Sequence, residues 1–314
     1  MIYRCTDYLL PSNHLKNNND PMNLQETLQS FWNLEPQNSE LMSDRAHSVW
    51  RFEARGEVFF ARLSKPEVFG DRIWSSAAVF LRHAFDSGVP VCEILKSRDA
   101  NLVESLEVDG ELRLVQVLRG VPGVELTNEL LENPDVLRAW GESLGRLHAR
   151  TKTLNLQDLE FSQIRVFWAN VKSSIPEGAN WLRNEYDTIS TWLESLNESL
   201  DFGLTHGDFR PGNAFWDGQQ VWLIDFDEPV WNWFASDIAR AMLEFLGSLE
   251  DRQSKLEAFM RGYRMFHDLE FSNKNFEMFS RFRVMLMYLW NLNAEHELPD
   301  LYDFKNRIPN PLGW

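Results

Sequence analysis

The stretch from His206 to Asp227 constrains this chain more than any other. It reads His206-Gly207-Asp208-Phe209-Arg210-Pro211-Gly212-Asn213, then Ala214-Phe215-Trp216, the turn Asp217-Gly218, and Val221-Trp222-Leu223-Ile224-Asp225-Phe226-Asp227. The apolar runs on either side of Asp217-Gly218 predict a short β-hairpin. Asp208 and Asn213 then lie in the loop entering the hairpin, and Asp225 lies at its exit. A loop on a β platform brings these three polar groups to one point. The fold must therefore supply that platform.

What surrounds it is ordinary globular sequence. Of 314 residues, 44% are hydrophobic and 25% charged, enough for one large domain or two modest ones around a shared cleft. Lys and Arg number 31 against 47 Asp and Glu, a net charge of -16. That balance argues against a nucleic-acid partner and against docking on an anionic membrane. The longest apolar stretch, Val284 to Trp290, is seven residues, far short of a membrane span. Met1 to Asp7 has no leader-like apolar run, and Cys5 and Cys92 are too few for a disulfide framework, so a cytoplasmic setting is expected.

Three regions are expected along the chain. Residues 1–22 read as a loose tail around the breaker run Asn17-Asn18-Asn19-Asp20-Pro21. Residues 23–119 read as a small β-rich lobe. A helix over Leu24–Trp32 leads to strands Ser48–Ala54 and Val58–Leu63 around Arg55-Gly56. A helix over Asp71–Asp86 is closed by Gly88, and a hairpin turns at Asp109-Gly110. Residues 120–314 read as a larger helical lobe. Asn133-Pro134 is an N-cap and N1 pair, and further helices are expected over Ala179–Leu200, Ser236–Leu249, Arg252–Phe266 and Asn275–Leu292. The fold class is α+β, with two lobes.

An Asp, an Asn five residues on, and a second Asp beyond a hairpin suit phosphoryl transfer from a nucleotide. The first Asp, Asp208, accepts the proton of the attacking hydroxyl. Asn213 and Asp225 hold Mg²⁺ against the phosphates of ATP. The spacing matches the kinase loop H-x-D-x-x-x-x-N, and Asp225-Phe226 matches the start of D-F-G. Either fragment alone is a common turn; together, after a β-rich lobe of the right size, they point to a phosphotransferase.

These residues make the chain resemble the aminoglycoside phosphotransferase and choline kinase-like family, over about residues 40–290. Its loop reads H-G-D-x-x-x-x-N, with Gly where protein kinases carry Arg. Leu144-Gly145-Arg146-Leu147-His148-Ala149 and Trp233-Phe234-Ala235-Ser236-Asp237-Ile238-Ala239 also resemble family segments, and the latter, with Asp225-Phe226-Asp227, resembles bacterial homoserine kinase-like members. The resemblance implies a bilobal protein-kinase-like fold, ATP and Mg²⁺ as cofactors, and a small-molecule hydroxyl as acceptor. It implies that Arg62 is the third-strand cation for the α/β-phosphates, and that the backbone near Gln116 and Leu118 is the hinge receiving adenine. Arg210 is placed either at the γ-phosphate or in a salt bridge to a neighbouring carboxylate.

Two departures stand out. The helix after the third strand, around Trp74-Ser75-Ser76-Ala77-Ala78-Val79, carries no Glu to pair with Arg62, and Ser43 to Ser48 lacks a Gly-x-Gly loop. The rival readings are a protein Ser/Thr kinase with a reduced substrate lobe and a non-catalytic nucleotide-binding protein. No Ala-Pro-Glu segment supports the first; intact Asp208, Asn213 and Asp225 speak against the second.

Other residues have quieter expectations. His206 is a brace for the loop, and His148 a packed, hydrogen-bonded core histidine. Asp237 caps a helix or braces the catalytic loop. Trp231, Trp233 and Trp290, with Glu228, Glu295, Glu297, Asp300 and Asp303, suggest an aromatic and acidic pocket for an amine-bearing acceptor; the competing expectation is that the Trp residues fill the core.

Overall fold

A computed structural model describes residues 24–44, 47–65, 71–108, 110–154, 159–197, 201–245, 249–269 and 273–293. The expected tail of residues 1–22 lies outside them. Helix α1 (Leu24–Trp32) turns Leu24, Leu28 and Trp32 onto a five-stranded antiparallel sheet. Its strands are β1 (Gln37–Asp44), β2 (His47–Ala54), β3 (Glu57–Ser64), β4 (Glu104–Val108) and β5 (Glu111–Arg119), ordered β1-β2-β3-β5-β4. Strand β1 went unread in the sequence because its residues, Gln-Asn-Ser-Glu-Leu-Met-Ser-Asp, are largely polar. It is an edge strand with almost nothing buried, so no apolar alternation marks it. Strand β3 is central, so Arg62 is buried and does not face solvent.

Helix α2 (Asp71–Asp86) has the predicted bounds. It ends at Gly88, whose φ of 78° lets the amide of Val89 reach back to the Ala84 carbonyl. Its buried residues Ala78, Phe80, Leu81 and Ala84 join the larger core of the molecule, not the core under the sheet.

In the helical part, Asn133 caps α3 (Pro134–Thr151), its side chain accepting from the Asp135 amide. Then come α4 (Ile164–Val171), α5 (Asn180–Ser195), α6 (Ala235–Met242), α7 (Leu249–Tyr263) and α8 (Asn273–Asn293). Helix α6 is shorter than expected and starts before Ser236. The helix expected over Ser236–Leu249 ends at Met242, and Leu249 opens α7. Short strands support the loops between them. Strands β9 (Ala214–Trp216) and β10 (Val221–Leu223) form the predicted hairpin, edged by β6 (Val124–Glu125). Strands β8 (Phe202–Thr205), β11 (Val230–Trp233) and β7 (Ser162–Gln163) form a second three-stranded sheet. Residues 90–95 stitch the two parts together. The Cys92 amide donates to the Leu223 carbonyl, the Leu95 amide to Val117, and the Arg119 amide to Glu93.

Candidate active site

Strand β8 delivers His206, Gly207 and Asp208 at its end. One buried carboxylate, Asp237, fixes the turn. It accepts from the His206 amide at 2.7 Å and from the Gly207 amide at 3.1 Å. His148 lies 3.2 Å from the same carboxylate and is itself held by the Tyr263 hydroxyl at 2.9 Å. Asp237 is thus the loop brace and not a helix cap: α6 begins two residues before it, with Phe234 at the cap position. His206 packs beneath the loop with Nε2 3.0 Å from the Ile224 carbonyl. Burial lowers the pKa of both histidines, so each serves as a neutral hydrogen-bonding brace. Gly207 is required by geometry. Its φ is 90°, and a Cβ there would overlap the Glu228 carbonyl oxygen.

Asp208 is held from three directions. Arg240 Nε donates to Oδ1 at 3.0 Å, Arg210 Nε to Oδ2 at 2.9 Å, and Asn213 Nδ2 to its backbone carbonyl at 2.9 Å. Burial alone would raise its pKa; Arg240, Arg210 and Arg283 overcome that and bring it to about 2. Asn213 closes a single 3₁₀ turn, Pro211–Asn213. With its amide nitrogen spent on Asp208, its side-chain oxygen is the atom it can offer a cation.

Asp225 follows β10 with φ at 65°, a left-handed conformation that Asp tolerates better than most side chains. Phe226 anchors it, packing against Phe80 at 5.7 Å and His206 at 4.6 Å between ring centroids. Burial, and then the charge of Asp227, push the Asp225 carboxyl up to about 7. Asp227 moves the other way: Arg62 and His47 overcome its burial and hold it below the usual range. A cation beside Asp225 would offset the repulsion that raises it. Asn213 oxygen and the Asp225 carboxylate are hard donors of the kind Mg²⁺ takes. No group of three or more His, Cys, Asp or Glu able to hold a metal occurs among the described residues. Such a site would complete its shell from phosphate and water.

The loop thus brings Asp208, Asn213 and Arg210 together, and Asp225 adjoins them: Asp208 and Arg210 both act on its charge. The two expected phosphate cations each sit on a carboxylate, Arg210 on Asp208 and Arg62 on Asp227. Gln116 and Leu118 line the cleft beside Arg62 with their side chains. Their main chain lies inside the sheet, in register with Arg62 and Phe60, and Val117 and Arg119 are bonded to Leu95 and Glu93. On the side of residues 116–118 away from β3, β4 pairs only as far as Val115, and residues 93–95 take its place.

Sequence reasoning missed Arg240, Arg283, His47 and the role of Asp227. The first two had a signal. Arg240 falls three residues after Asp237, on the same helical face, and Arg283 directly precedes the apolar run Val284 to Trp290. It is 4% exposed, and its Nη2 donates to the Gly207 carbonyl at 2.6 Å. A pocket beside Gly207 is lined by Ile164, Phe167, Glu228, Val230, Arg283 and Leu286. Of the Trp residues expected there, Trp233 is buried in the core against Phe202 and Phe279, and Trp231 stacks on Phe202. The side chain of Trp290, and Glu295, Glu297, Asp300 and Asp303, lie outside the described residues.

Known kinases are similar to this chain over most of its length. An amicoumacin kinase of Bacillus subtilis (strain 168) is 27% identical over 272 residues, covering 79% of this chain and 78% of that protein. A solved amicoumacin kinase in complex with AMP-PNP, Ca²⁺ and Ami superposes with a TM-score of 0.80 at 19% identity, covering 93% of this chain and 94% of the other. A microcompartment-associated aminopropanol kinase gives 0.69 at 18% identity over 92% and 94%. A choline/ethanolamine kinase family protein from Mesorhizobium loti gives 0.58 at 18% identity over 87% and 86%. The architecture is the bilobal kinase-like α+β fold, and no described helix is long and apolar enough to cross a membrane. Residues 39–271 match the phosphotransferase enzyme family, and the chain belongs to that family.

Proposed function

We propose that this phosphotransferase moves the γ-phosphoryl group of ATP, with Mg²⁺, to a hydroxyl of a small, amine-bearing molecule. The observation that carries the reading is the meeting of Asp208 and Asn213 in one braced loop, with Asp225 beside them. Asp208 receives the hydroxyl proton. With a pKa near 2 it is a weak base, so it orients the hydroxyl and takes the proton late, when the oxygen has begun to bond to phosphorus. Mg²⁺ supplies charge neutralisation for the phosphates, and Asn213 and Asp225 are the residues that would hold it. Arg62 and Arg210 would meet phosphate oxygens with the guanidinium edges not turned to their carboxylates. Adenine would be received at the backbone near Gln116 to Leu118; Gln116 and Leu118 line the cleft beside Arg62. The small lobe of the reading is residues 23–119 and the catalytic lobe residues 120–314, in a reducing, cytoplasmic setting.

For the acceptor, the pocket beside Gly207 offers Glu228, whose carboxyl is raised by burial and would be relieved by an ammonium. Similarity to an aminopropanol kinase goes in the same direction. A coupled assay of ADP release over amino alcohols, aminoglycosides, neutral sugars and hydroxy acids tests the reading. Turnover confined to acceptors without an amine would sink the amine; no acceptor-stimulated turnover on any panel, peptides included, would sink the phosphotransfer.

A further inference from the structure

The helix after β3 carries no Glu to pair with the cation on that strand. The face of α2 that lines the same cavity carries Trp74, Ala77 and Ala78. The carboxylate comes instead from the metal-loop side. Arg62 Nη1 donates to Asp227 Oδ1 at 2.6 Å, and Nη2 donates to Oδ2. His47, from β2, places Nε2 3.3 Å from the same Oδ2, its ring stacked on Trp74 at 5.6 Å. Arg62, His47 and Asp227 side chains are all at most 10% exposed. A buried carboxylate facing two groups of the sheet, two residues beyond Asp225, joins strand β3 to the metal loop.

We propose that Asp227 is the positioning residue for Arg62, in the place of the Glu that α2 does not carry. The inference rests on the nucleotide site proposed above. It explains why the strand carries Arg. A guanidinium has five N–H donors in a planar fork. It can present one end to Asp227 and another edge to a phosphate, which a single ammonium cannot do in two fixed directions. It also fits the way α2 is built into the larger core through Ala78, Phe80, Leu81 and Ala84: the phosphate cation takes its orientation from the metal loop.

The test is a double-substitution cycle on Arg62→Met and Asp227→Asn, read by titration calorimetry with ATP, with and without Mg²⁺, and by melting of the nucleotide-free protein. Asp227→Asn should weaken Mg²⁺-free ATP by about tenfold, the scale of one charge-assisted hydrogen bond. It should raise KM for ATP with little change in KM for the acceptor. Asp227→Glu should restore most of the affinity. The double variant should bind ATP no worse than Arg62→Met alone, because Asp227 acts only through Arg62. Asp227→Asn alone leaves Arg62 buried without its carboxylate and should melt lowest; the double variant removes both charges and should melt higher, which keeps the cycle readable. Wild-type affinity for Mg²⁺-free ATP in Asp227→Asn would overturn the proposal. So would a loss seen only with Mg²⁺, or losses that add fully in the double variant. A wild-type protein that binds no ATP in either condition would overturn the nucleotide site itself, a different failure from any of these.

Discussion

Asp208 and Asp225 show how environment divides labour between two carboxylates one loop apart. Three arginines make Asp208 a permanent anion, whereas Asp225 resists ionising beside Asp227. Asp208→Ala or Asp208→Asn should therefore remove transfer, by about 10²–10⁴-fold, while leaving ATP binding largely intact. Loss of ATP affinity in step with activity, measured by calorimetry, would contradict the division. Asp225 makes the opposite kind of prediction. Its folded pKa is about 7 against an unfolded value near 3.8, so the folded state holds a proton that the unfolded chain has released. Stability then falls as pH rises through that interval, and the cost is complete above about 7. Asp225→Asn has no proton to lose. Its melting temperature relative to wild type, both without nucleotide, should climb from pH 4 to 7 and then level off; a flat difference would show that Asp225 ionises normally. Asp225→Ala should also abolish the gain in ATP affinity that Mg²⁺ gives the wild type. Gly207 has no such latitude. With φ at 90° and the Glu228 carbonyl where a Cβ would go, Gly207→Ala should cost at least about 1–2 kcal/mol of stability in backbone strain alone, and should displace Asp208 as well. An Ala variant with wild-type melting and turnover would contradict that.

At the scale of elements, what was legible in the sequence had a local cause. The Asn133 cap, the Gly88 stop and the Asp217-Gly218 turn are each set by a few adjacent residues, and the structure has all three. The hairpin between Asp208 and Asp225 was readable for the same reason. What escaped was pairing at a distance. Strand β1 has its partner but no apolar code. Arg62 meets Asp227 across 165 positions of sequence, and Arg240 and Arg283 reach Asp208 and Gly207 from helices whose orientation only packing sets. The contact of α3 with α7 is another case. A Cβ on Gly141 would strike the Phe259 carbonyl, one on Gly145 the Tyr263 carbonyl, and one on Gly262 the Arg138 carbonyl. The helices meet backbone to backbone, and Tyr263 thereby reaches His148 and, through it, Asp237. Gly262→Ala should destabilise the fold by about 1–3 kcal/mol through overpacking, visible as a lower denaturant midpoint. Because the displaced helix carries Tyr263, which holds His148 against the brace Asp237, kcat should fall too, even though Gly262 touches none of the reacting groups. Unchanged kcat in folded Gly262→Ala would break that link.

For the whole molecule, the net charge of -16 sets the long-range field that an acceptor meets before it reaches the site. Around Asp208 the protein concentrates Arg210, Arg240 and Arg283, and Arg62 meets Asp227, but Asp225, Glu228 and Asp237 stand among them, so the arginines are matched by carboxylates at the site. A negative field acts at long range, before contact, and favours approach of a cation. In the proposed reading Glu228 would receive it in the pocket beside Gly207, which Arg283 also lines. Salt separates the long-range effect from the contact. The screening length is about 30 Å at 0.01 M and about 8 Å at 0.15 M, so raising salt between these limits removes the global field and leaves a buried contact largely intact. For an amine-bearing acceptor, kcat/KM should fall over that range, by up to about tenfold where capture limits the rate. For a neutral hydroxyl compound of the same size it should stay nearly level, with ATP and Mg²⁺ saturating in both series. Equal salt dependence for the two acceptors, or a kcat/KM for the amine that rises with salt, would mean that the arginines around Asp208 govern the approach, and would favour an anionic acceptor over a cationic one.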